Sequence, residues 1–166
     1  MIADSYRFLP RSFRPLYEGR GPLPGEEGIV WTPFEKRLSE AKIALLSSAG
    51  LYIPGSQASF DLDGERAHPE WGDPTWRSIP ATTENPGVAH LHINDDDLLA
   101  DPEIALPMRM LAELAAQGVV GGAVEQHVAV MGYQERELGV WRKTTAPQIA
   151  AHLSEQGADA LVLAPA

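Results

Sequence analysis

The sequence predicts a single three-layer α/β domain in which helices cover a largely parallel sheet. Short apolar runs recur along the chain and alternate with amphipathic segments that end at a glycine, as at Gly118 and Gly157. Strands that alternate with helices in this way are typical of layered α/β folds with crossover connections. The length of 166 residues also suits one domain with a core of its own. We therefore expect one sheet with helices packed against it.

An extended arm over residues 1–30 is expected to precede this domain, which spans residues 31–166. Residues 1–33 contain five prolines and four glycines, too many for regular helices or strands. The segment also carries many large apolar residues, among them Tyr6, Phe8, Leu9, Phe13, Leu16 and Tyr17. A solvated linker would be less apolar, so the arm is predicted to lie across its own core or a neighbouring subunit.

Apolar runs bounded by turn residues predict the strands of the sheet. The expected strands lie at residues 42–47, 76–79, 87–93, 127–131 and 159–164. The first of them runs into a tight turn that ends at Gly50, and it is expected to be buried. Residues 54–74 are rich in proline, glycine and acids and predict a long irregular excursion, whereas residues 119–123 predict a glycine-rich turn.

Three helices are predicted from their start signals. Thr32 and Pro33 resemble a cap and a first helical residue, and the short helix that they begin is expected to end near Ala41. Pro107 and Thr145 mark the starts of two longer amphipathic helices, each with its glycine stop. These two helices are the expected covering layers of the sheet.

The composition argues against several classes of function. The chain has 13 basic and 23 acidic residues, a formal charge of -10, which argues against binding a nucleic-acid backbone through Lys and Arg. It contains no cysteine, which excludes disulfides, thiolate metal sites and cysteine nucleophiles from these residues. No window approaches the roughly 18 consecutive apolar residues of a membrane span, and no signal peptide is recognisable. A cytoplasmic protein with no membrane partner is expected.

The densest group of titratable residues runs from His90 to Asp97. Two histidines on a strand, His90 and His92, would point to one face, and with Asp95 they can bind a zinc or iron ion. The run resembles the start of the H-x-H-x-D-H motif of metallo-β-lactamase-type hydrolases, although Asn94 replaces the expected aspartate. In the alternative interpretation the histidines bond to loop backbone and the acids cap the next turn. The site is therefore expected to hold no metal, with His90, His92 and Asp95 as the alternative ligand set.

Two further pairs are candidate polar sites. Asp73 and Arg77 flank the start of a strand, where Arg77 can hold a substrate carboxylate or can tie the long loop to the sheet. Glu125 and His127 can form an acid–base pair, or His127 can be a core residue with one buried hydrogen bond. Both interpretations of each pair stay open at this point.

The turn after the first predicted strand is a candidate anion site. Ser47, Ser48 and Gly50 are small residues at a strand end, where backbone N–H groups can cradle an anion. The turn lacks both the lysine of a P-loop and the glycine spacing of a dinucleotide-binding motif. It therefore indicates a general anion site and no particular nucleotide.

Taken together, several segments resemble the selenocysteine-containing subunit of D-proline reductase and the related selenoprotein B of glycine, sarcosine and betaine reductases. The matching segments run in order from Val30 to Ala166: VWTPFEKRLSEAKIALLSSAGLY, GDPTWRSIP, VAHLHINDDDLLADPEIALP, MLAELAAQGVVGG, VMGY and APQIAAHLSEQGADALVLAPA. The family's histidine, followed by spaced acids and a proline before a helix, falls on His90, Asp97, Asp101 and Pro107. Departures lie at Ile93-Asn94, at Asp101-Pro-Glu103 and in the long segment 54–72.

This resemblance implies an oxidoreductase that cleaves a C–N bond of a small amino-acid substrate, namely D-proline, glycine, sarcosine or betaine. It implies catalytic roles for His90 and Asp97 and substrate contacts by Ser47, Ser48, Gly50 and Arg77. The chain itself would carry no cofactor, because a pyruvoyl group would reside on a partner subunit of an oligomer. Two other classes remain open, a non-catalytic α/β interaction subunit and a metal-dependent hydrolase that uses His90 and His92.

The resemblance also concerns the end of the chain. In the family, the strand that matches residues 161–164 leads within a few residues to selenocysteine or cysteine. Selenocysteine is encoded by UGA, which is otherwise a stop codon. We therefore expect the nucleophile after Ala166, a domain that is incomplete at its C-terminus, and no reductase activity in the 166-residue chain alone.

Overall fold

The computed structural model describes residues 32–68, 71–134 and 138–165, together with Pro15. Pro33–Ala166 forms one compact unit, and every element named below belongs to it. The arm predicted over residues 1–30 lies outside the described residues, apart from Pro15, so its course stays a prediction.

The described strands are β1 (Lys42–Ser47), β2 (Leu51–Tyr52), β3 (Trp76–Pro80), β4 (Gly87–Val88), β5 (Gly122–Ala123), β6 (Gln126–Val130) and β7 (Ala160–Ala164). The α-helices are α1 (Leu62–Ala67), α2 (Asp95–Ala100), α3 (Met108–Ala116) and α4 (Ala146–Glu155). Two 3-10 turns span Leu38–Glu40 and Pro102–Ile104, and a π-helical turn, Trp141–Thr145, leads directly into α4. No helix in the described part of the chain is long and apolar enough to cross a lipid bilayer.

Strand β1 lies at the centre of the main sheet. β7 pairs with it in parallel from Ile43 opposite Ala160 to Ser47 opposite Ala164. β5 and β6 also run parallel to β1 and share its other edge, β5 at the start and β6 at the end. β3 lies outside β6 and is antiparallel to it, while β2 and β4 form a separate antiparallel pair. The predicted α/β fold with a largely parallel sheet is confirmed.

The two faces of the sheet pack against different helices. Successive side chains of a strand point to opposite faces, and β1 divides accordingly. Ile43 and Leu45 belong to a core cluster that includes Met108 and Leu111 of α3. Ala44 belongs to a second cluster that includes Ile149 and Leu153 of α4. A helix on each face makes the three layers that the sequence predicts.

Two predicted elements differ from the structure. No helix spans residues 32–41; the described residues form only the 3-10 turn Leu38–Glu40 there, because Phe34 and Leu38 are exposed and no apolar face is buried. The strand expected at residues 87–93 ends at Val88. The excursion 54–74 contains the short helix α1, and the glycine-rich turn contains the two-residue strand β5.

Candidate functional site

The ends of β1, β6 and β7 meet at the carboxyl edge of the parallel sheet. Ser47 pairs with Ala129 of β6 on one side and with Ala164 of β7 on the other. The backbone N–H of Ser48 then donates to Ala164 O at 3.2 Å, which keeps the end of β7 beside the turn that follows β1. Ligands of parallel α/β sheets bind at this edge, so the candidate site is placed here.

The backbone N–H groups of Ser48, Ala49 and Gly50 in the turn after β1 are all occupied by hydrogen bonds within the protein. Besides the bond from Ser48, Ala49 N donates to Ser47 Oγ at 3.2 Å and Gly50 N donates to Val130 O at 3.0 Å. The turn therefore offers no cradle of free N–H groups, which corrects the predicted mechanism of anion binding through Ser47, Ser48 and Gly50. Substrate contact by their other atoms stays a prediction.

Gly50 has a structural role that prepares the site. Its carbonyl accepts from Ala89 N at 3.0 Å, and its φ of +66° lies in the left-handed region that glycine tolerates. A Cβ at position 50 would collide with Ala89 O. This close approach holds Ala89, the residue before His90, against the turn that follows β1.

His90 is a buried imidazole with a defined donor. It is 7 % exposed, and its Nδ1 accepts from His92 N at 3.1 Å, which assigns the proton of the neutral ring to Nε2. Burial lowers the pKa of His90, the neighbouring His92 lowers it further, and Asp95 opposes both effects. The ring is therefore neutral near pH 7 and presents an N–H group.

The Nε2 atom of His90 lies close to Ser48 and Gly132 at the sheet edge. It is buried and has no hydrogen-bond partner among the described residues. A Cβ on Gly132 would lie 3.2 Å from Ser48 O, 3.3 Å from His90 Nε2 and 3.3 Å from Ser48 Oγ, so only a glycine leaves the space beside these groups uncrowded. A buried donor without an acceptor is costly, and a carboxylate or another anion in this space would satisfy it.

Asp95, a member of the alternative metal set, raises the pKa of His90, but less than burial and His92 lower it. Asp97, predicted as a catalytic residue, is exposed at the start of α2, where its carboxylate accepts from Asn94 Nδ2 at 2.8 Å. Asn94 also caps the helix by accepting from Asp96 N at 3.3 Å. Of the predicted alternative, the histidine that bonds to loop backbone agrees with the bond from His92 N to His90 Nδ1, whereas the residue that caps α2 is the amide Asn94 and not an acid.

The described residues do not assemble the alternative metal site. His90 and His92 lie in a loop, with ring centroids 5.9 Å apart at 81° to each other, and do not share a strand face. Within the described ranges, no group of three or more His, Cys, Asp or Glu side chains is arranged to hold a metal ion. The geometry therefore does not support the set His90, His92 and Asp95.

Asp73 and Arg77 anchor the long excursion. Asp73 is buried and accepts from Asp61 N at 3.0 Å and Thr75 N at 2.8 Å. All three guanidinium nitrogens of Arg77 donate to neighbouring acceptors, Ala58 O, Ser59 O, Thr75 Oγ1 and Trp76 O, and the group lies 4.2 Å from the centre of the Phe60 ring. The alternative role of Arg77, which ties the loop to the sheet, is favoured over a grip on a substrate carboxylate.

His127 is a core residue. It is fully buried in β6, its Nδ1 accepts from Leu45 N at 3.1 Å, and burial lowers its pKa to about 4. Glu125 is exposed, and its carbonyl accepts from Ala81 N. Since the two side chains lie in such different surroundings, the second interpretation of this pair, a structural histidine with one hydrogen bond, is the one that the geometry favours.

Sequence reasoning missed Glu65, which is 3 % exposed on α1. Its Oε1 lies 3.2 Å from His92 Nε2, so it adds a carboxylate to the histidine loop. The available signal was its spacing of three residues from Leu62, which puts both on one face of a helix. That signal went unused because the segment was interpreted as irregular.

The fold and this edge define a parallel α/β protein of the kind that binds small ligands beyond its strand ends. The chain is similar to two curated relatives. The chain is 28% identical over 136 residues to D-proline reductase subunit gamma of Acetoanaerobium sticklandii. The aligned region covers 81% of this chain and 52% of the relative. It is 26% identical over 149 residues to glycine reductase complex component B subunit gamma of Symbiobacterium thermophilum. That aligned region covers 89% of this chain and 33% of the relative.

These matches confirm the resemblance to the reductase selenoprotein B family that the sequence indicates. The chain spans about half of the length of the first relative and about a third of the second. No family model matches the chain, and no solved structure matches it.

Proposed function

We propose that this chain is part of a selenoprotein B-type subunit of an amino-acid reductase. The reaction is reductive cleavage of the C–N bond of D-proline, glycine, sarcosine or betaine. Similarity to one subunit of a D-proline reductase and to one of a glycine reductase complex supports this class of reaction. The substrate amine is activated by a pyruvoyl group on a partner subunit, and this chain carries no cofactor of its own.

The proposal is supported by Ser48, which bonds to the end of β7 and lies beside Gly132 together with His90 Nε2. Ser48 holds the end of β7 through Ala164 O at 3.2 Å, and its hydroxyl lies as close to the Cβ position of Gly132 as His90 Nε2 does, at 3.3 Å. Residues that follow β7 therefore enter the same edge. We propose that a selenocysteine or cysteine there, after Ala166, is the nucleophile that attacks the α-carbon.

His90 is assigned the role of a neutral hydrogen-bond donor. Because its pKa is lowered, it can donate from Nε2 without carrying charge, and a substrate carboxylate is the natural acceptor in an amino-acid reductase. The donor would orient the α-carbon toward the nucleophile. Replacing His90 with Gln or Ala should therefore raise KM for the amino acid and lower kcat/KM by about tenfold to a hundredfold.

The test begins at the gene. The codon after Ala166 should be UGA, and the reading frame beyond it should be similar to the remaining part of the relatives. A different stop codon followed by unrelated sequence would contradict the proposal. The extended chain is produced with selenocysteine and combined with its pyruvoyl-bearing partner. With a dithiol as reductant, this assembly should cleave the C–N bond of one of the four substrates. The 166-residue chain with the same partner should be inactive.

A further inference from the structure

We propose that Glu65 and His92 form a carboxylate–imidazole dyad in which buried Glu65 orients exposed His92 for proton transfer to the leaving amine. The inference rests on the proposed function, because it assigns the proton donor of that reaction. Glu65 is the positioning residue, and His92 is the group that meets the substrate. His90 keeps the separate role of a neutral donor.

Glu65 occupies a position where a structural helix would bury an apolar side chain. α1 turns Leu62 toward a small core cluster that contains Phe60, Ala89 and Met131, and Glu65 follows one turn later on the same face. Both of its carboxylate oxygens are buried and have no hydrogen-bond partner among the described residues. Burying an uncompensated carboxylate is strongly unfavourable, so this position calls for a cationic or donor partner.

His92 is the partner that the structure supplies. Its Nε2 lies 3.2 Å from Glu65 Oε1, while the cation on the same helix, Arg66, pairs with Asp63 at 2.8 Å. Hydrogen bonds of catalytic pairs are often poorly aligned without ligand and tighten when substrate binds. The 3.2 Å between His92 Nε2 and Glu65 Oε1 is therefore the separation expected of a carboxylate–imidazole pair before substrate binds.

The surroundings hold His92 in place while leaving it accessible. Its backbone N–H donates to His90 Nδ1 at 3.1 Å, and its ring lies near those of His90 and Tyr133, at centroid distances of 5.9 and 6.1 Å. The side chain is nevertheless 62% exposed. A buried carboxylate behind an accessible imidazole is the arrangement that fixes the tautomer and stabilises the charged ring in hydrolytic triads.

The nucleophile of the proposed reductase gives its electron pair to the α-carbon, and the C–N bond breaks with its pair remaining on nitrogen. Nitrogen takes a proton from Nδ1 of the charged His92 ring, and Nε2–H stays directed at Glu65. The ring becomes neutral and is recharged by a proton from water.

The dyad can be tested without any activity, by reading the His92 tautomer from ring nitrogen chemical shifts of the labelled chain. The signals are assigned by their loss in His92→Gln. In the native chain the neutral ring should carry its proton on Nε2, and Glu65→Gln should redistribute it between both nitrogens. The matched control, Asp63→Asn on the exposed face of the same helix, should match the native chain. An unchanged tautomer in Glu65→Gln would overturn the dyad.

The catalytic role is tested in the assembled reductase. Glu65→Gln should lower kcat by about tenfold to a hundredfold with KM changed less than about twofold, Glu65→Asp should recover part of the loss, and Asp63→Asn should have no effect. An unchanged kcat in Glu65→Gln would overturn the role. If Glu65→Gln does not fold, His92→Gln, an exposed substitution, decides by the same criterion. An inactive native assembly would contradict the proposed function, while the tautomer measurement would still decide the dyad.

Discussion

Strands β1 and β7 are adjacent and parallel and have similarly apolar sequences, yet their surroundings are opposite. Ile43, Ala44 and Leu45 of β1 are buried, because α3 and α4 cover its two faces and strands pair with both of its edges. In β7, Leu161, Val162 and Leu163 are 40%, 49% and 64% exposed. Apolar composition therefore predicts a strand, whereas the burial of that strand depends on the neighbours that pack against it.

Strand β7 is held mainly by backbone bonds and by polar contacts at its start. Asp159, just before the strand, accepts from Lys36 Nζ at 2.7 Å and from Lys42 N at 2.8 Å. These two donors lower the pKa of Asp159, that from Lys36 most. Among the described residues, β1 is the only strand that pairs with β7. The two strands therefore differ in what stabilises them, and this comparison can be tested.

The largest expected effect comes from truncating the same side chain in each strand. Leu45→Ala should lower the free energy of unfolding by about 2–5 kcal/mol, because it leaves a cavity between β1 and the α3 layer. Leu163→Ala should cost less than about 1 kcal/mol, since that side chain is largely exposed already. Chemical denaturation of both variants measures the difference, and equal losses would contradict the comparison.

The second effect is a pH dependence of the free energy of unfolding, and it comes from His127 of β6, which accepts from Leu45 N of β1. The pKa of His127 is about 4 when folded and near 6.5 when unfolded, so the unfolded chain binds more protons between these values. The contribution of His127 to the free energy of unfolding is fully present above pH 6.5, and it falls by about 3 kcal/mol as the pH drops toward 4.

Denaturation of the native chain and of His127→Gln at pH 7 and pH 4.5 isolates this contribution. The native chain should lose more stability than the variant over that interval. Asp159 beside β7 does not add to the loss, because its pKa is lowered and its carboxylate stays ionised there. A variant with the same pH dependence as the native chain would show that His127 is not responsible.

The smallest effect on stability is expected at the exposed face of β7. Val162→Lys should change the free energy of unfolding by no more than about 0.5 kcal/mol, yet it should reduce self-association, because an uncovered apolar edge strand favours pairing between chains. Sedimentation at several concentrations measures this. Leu99→Lys, which removes an exposed apolar side chain from α2, serves as the control and should leave association unchanged.

The parts of the fold that sequence predicted well are those specified by local patterns. The strands at 42–47 and 159–164 are continuous apolar runs, and α3 and α4 show helical periodicity up to their glycine stops. The helix expected at residues 32–41 had caplike residues but no buried partner for Phe34 and Leu38. Start signals without a packing face do not make a helix of this length.

The candidate site was predicted only in part, because its geometry depends on contacts that are distant in sequence. His90 was identified from composition, but its loop conformation arises from the bond between Ala89 N and Gly50 O. Arg77 was a reasonable carboxylate ligand until its donors were seen to be occupied by the preceding loop. Glu65 was missed because the composition of residues 54–74 predicts an irregular excursion, so the helix face that Glu65 shares with Leu62 was not apparent.

The α/β class, the positions of the main strands along the chain and the resemblance to reductase subunits can be inferred from the sequence, because periodicity, turn residues and segment similarity are properties of neighbouring positions. Three features required the folded structure: His90 is a neutral buried donor, Asp95 rather than Asp97 is the acid that raises its pKa, and Glu65 lies 3.2 Å from His92. Burial, tautomer and ion-pair distance depend on where separate segments meet, and the sheet edge is where β1, β6, β7 and their loops are brought together.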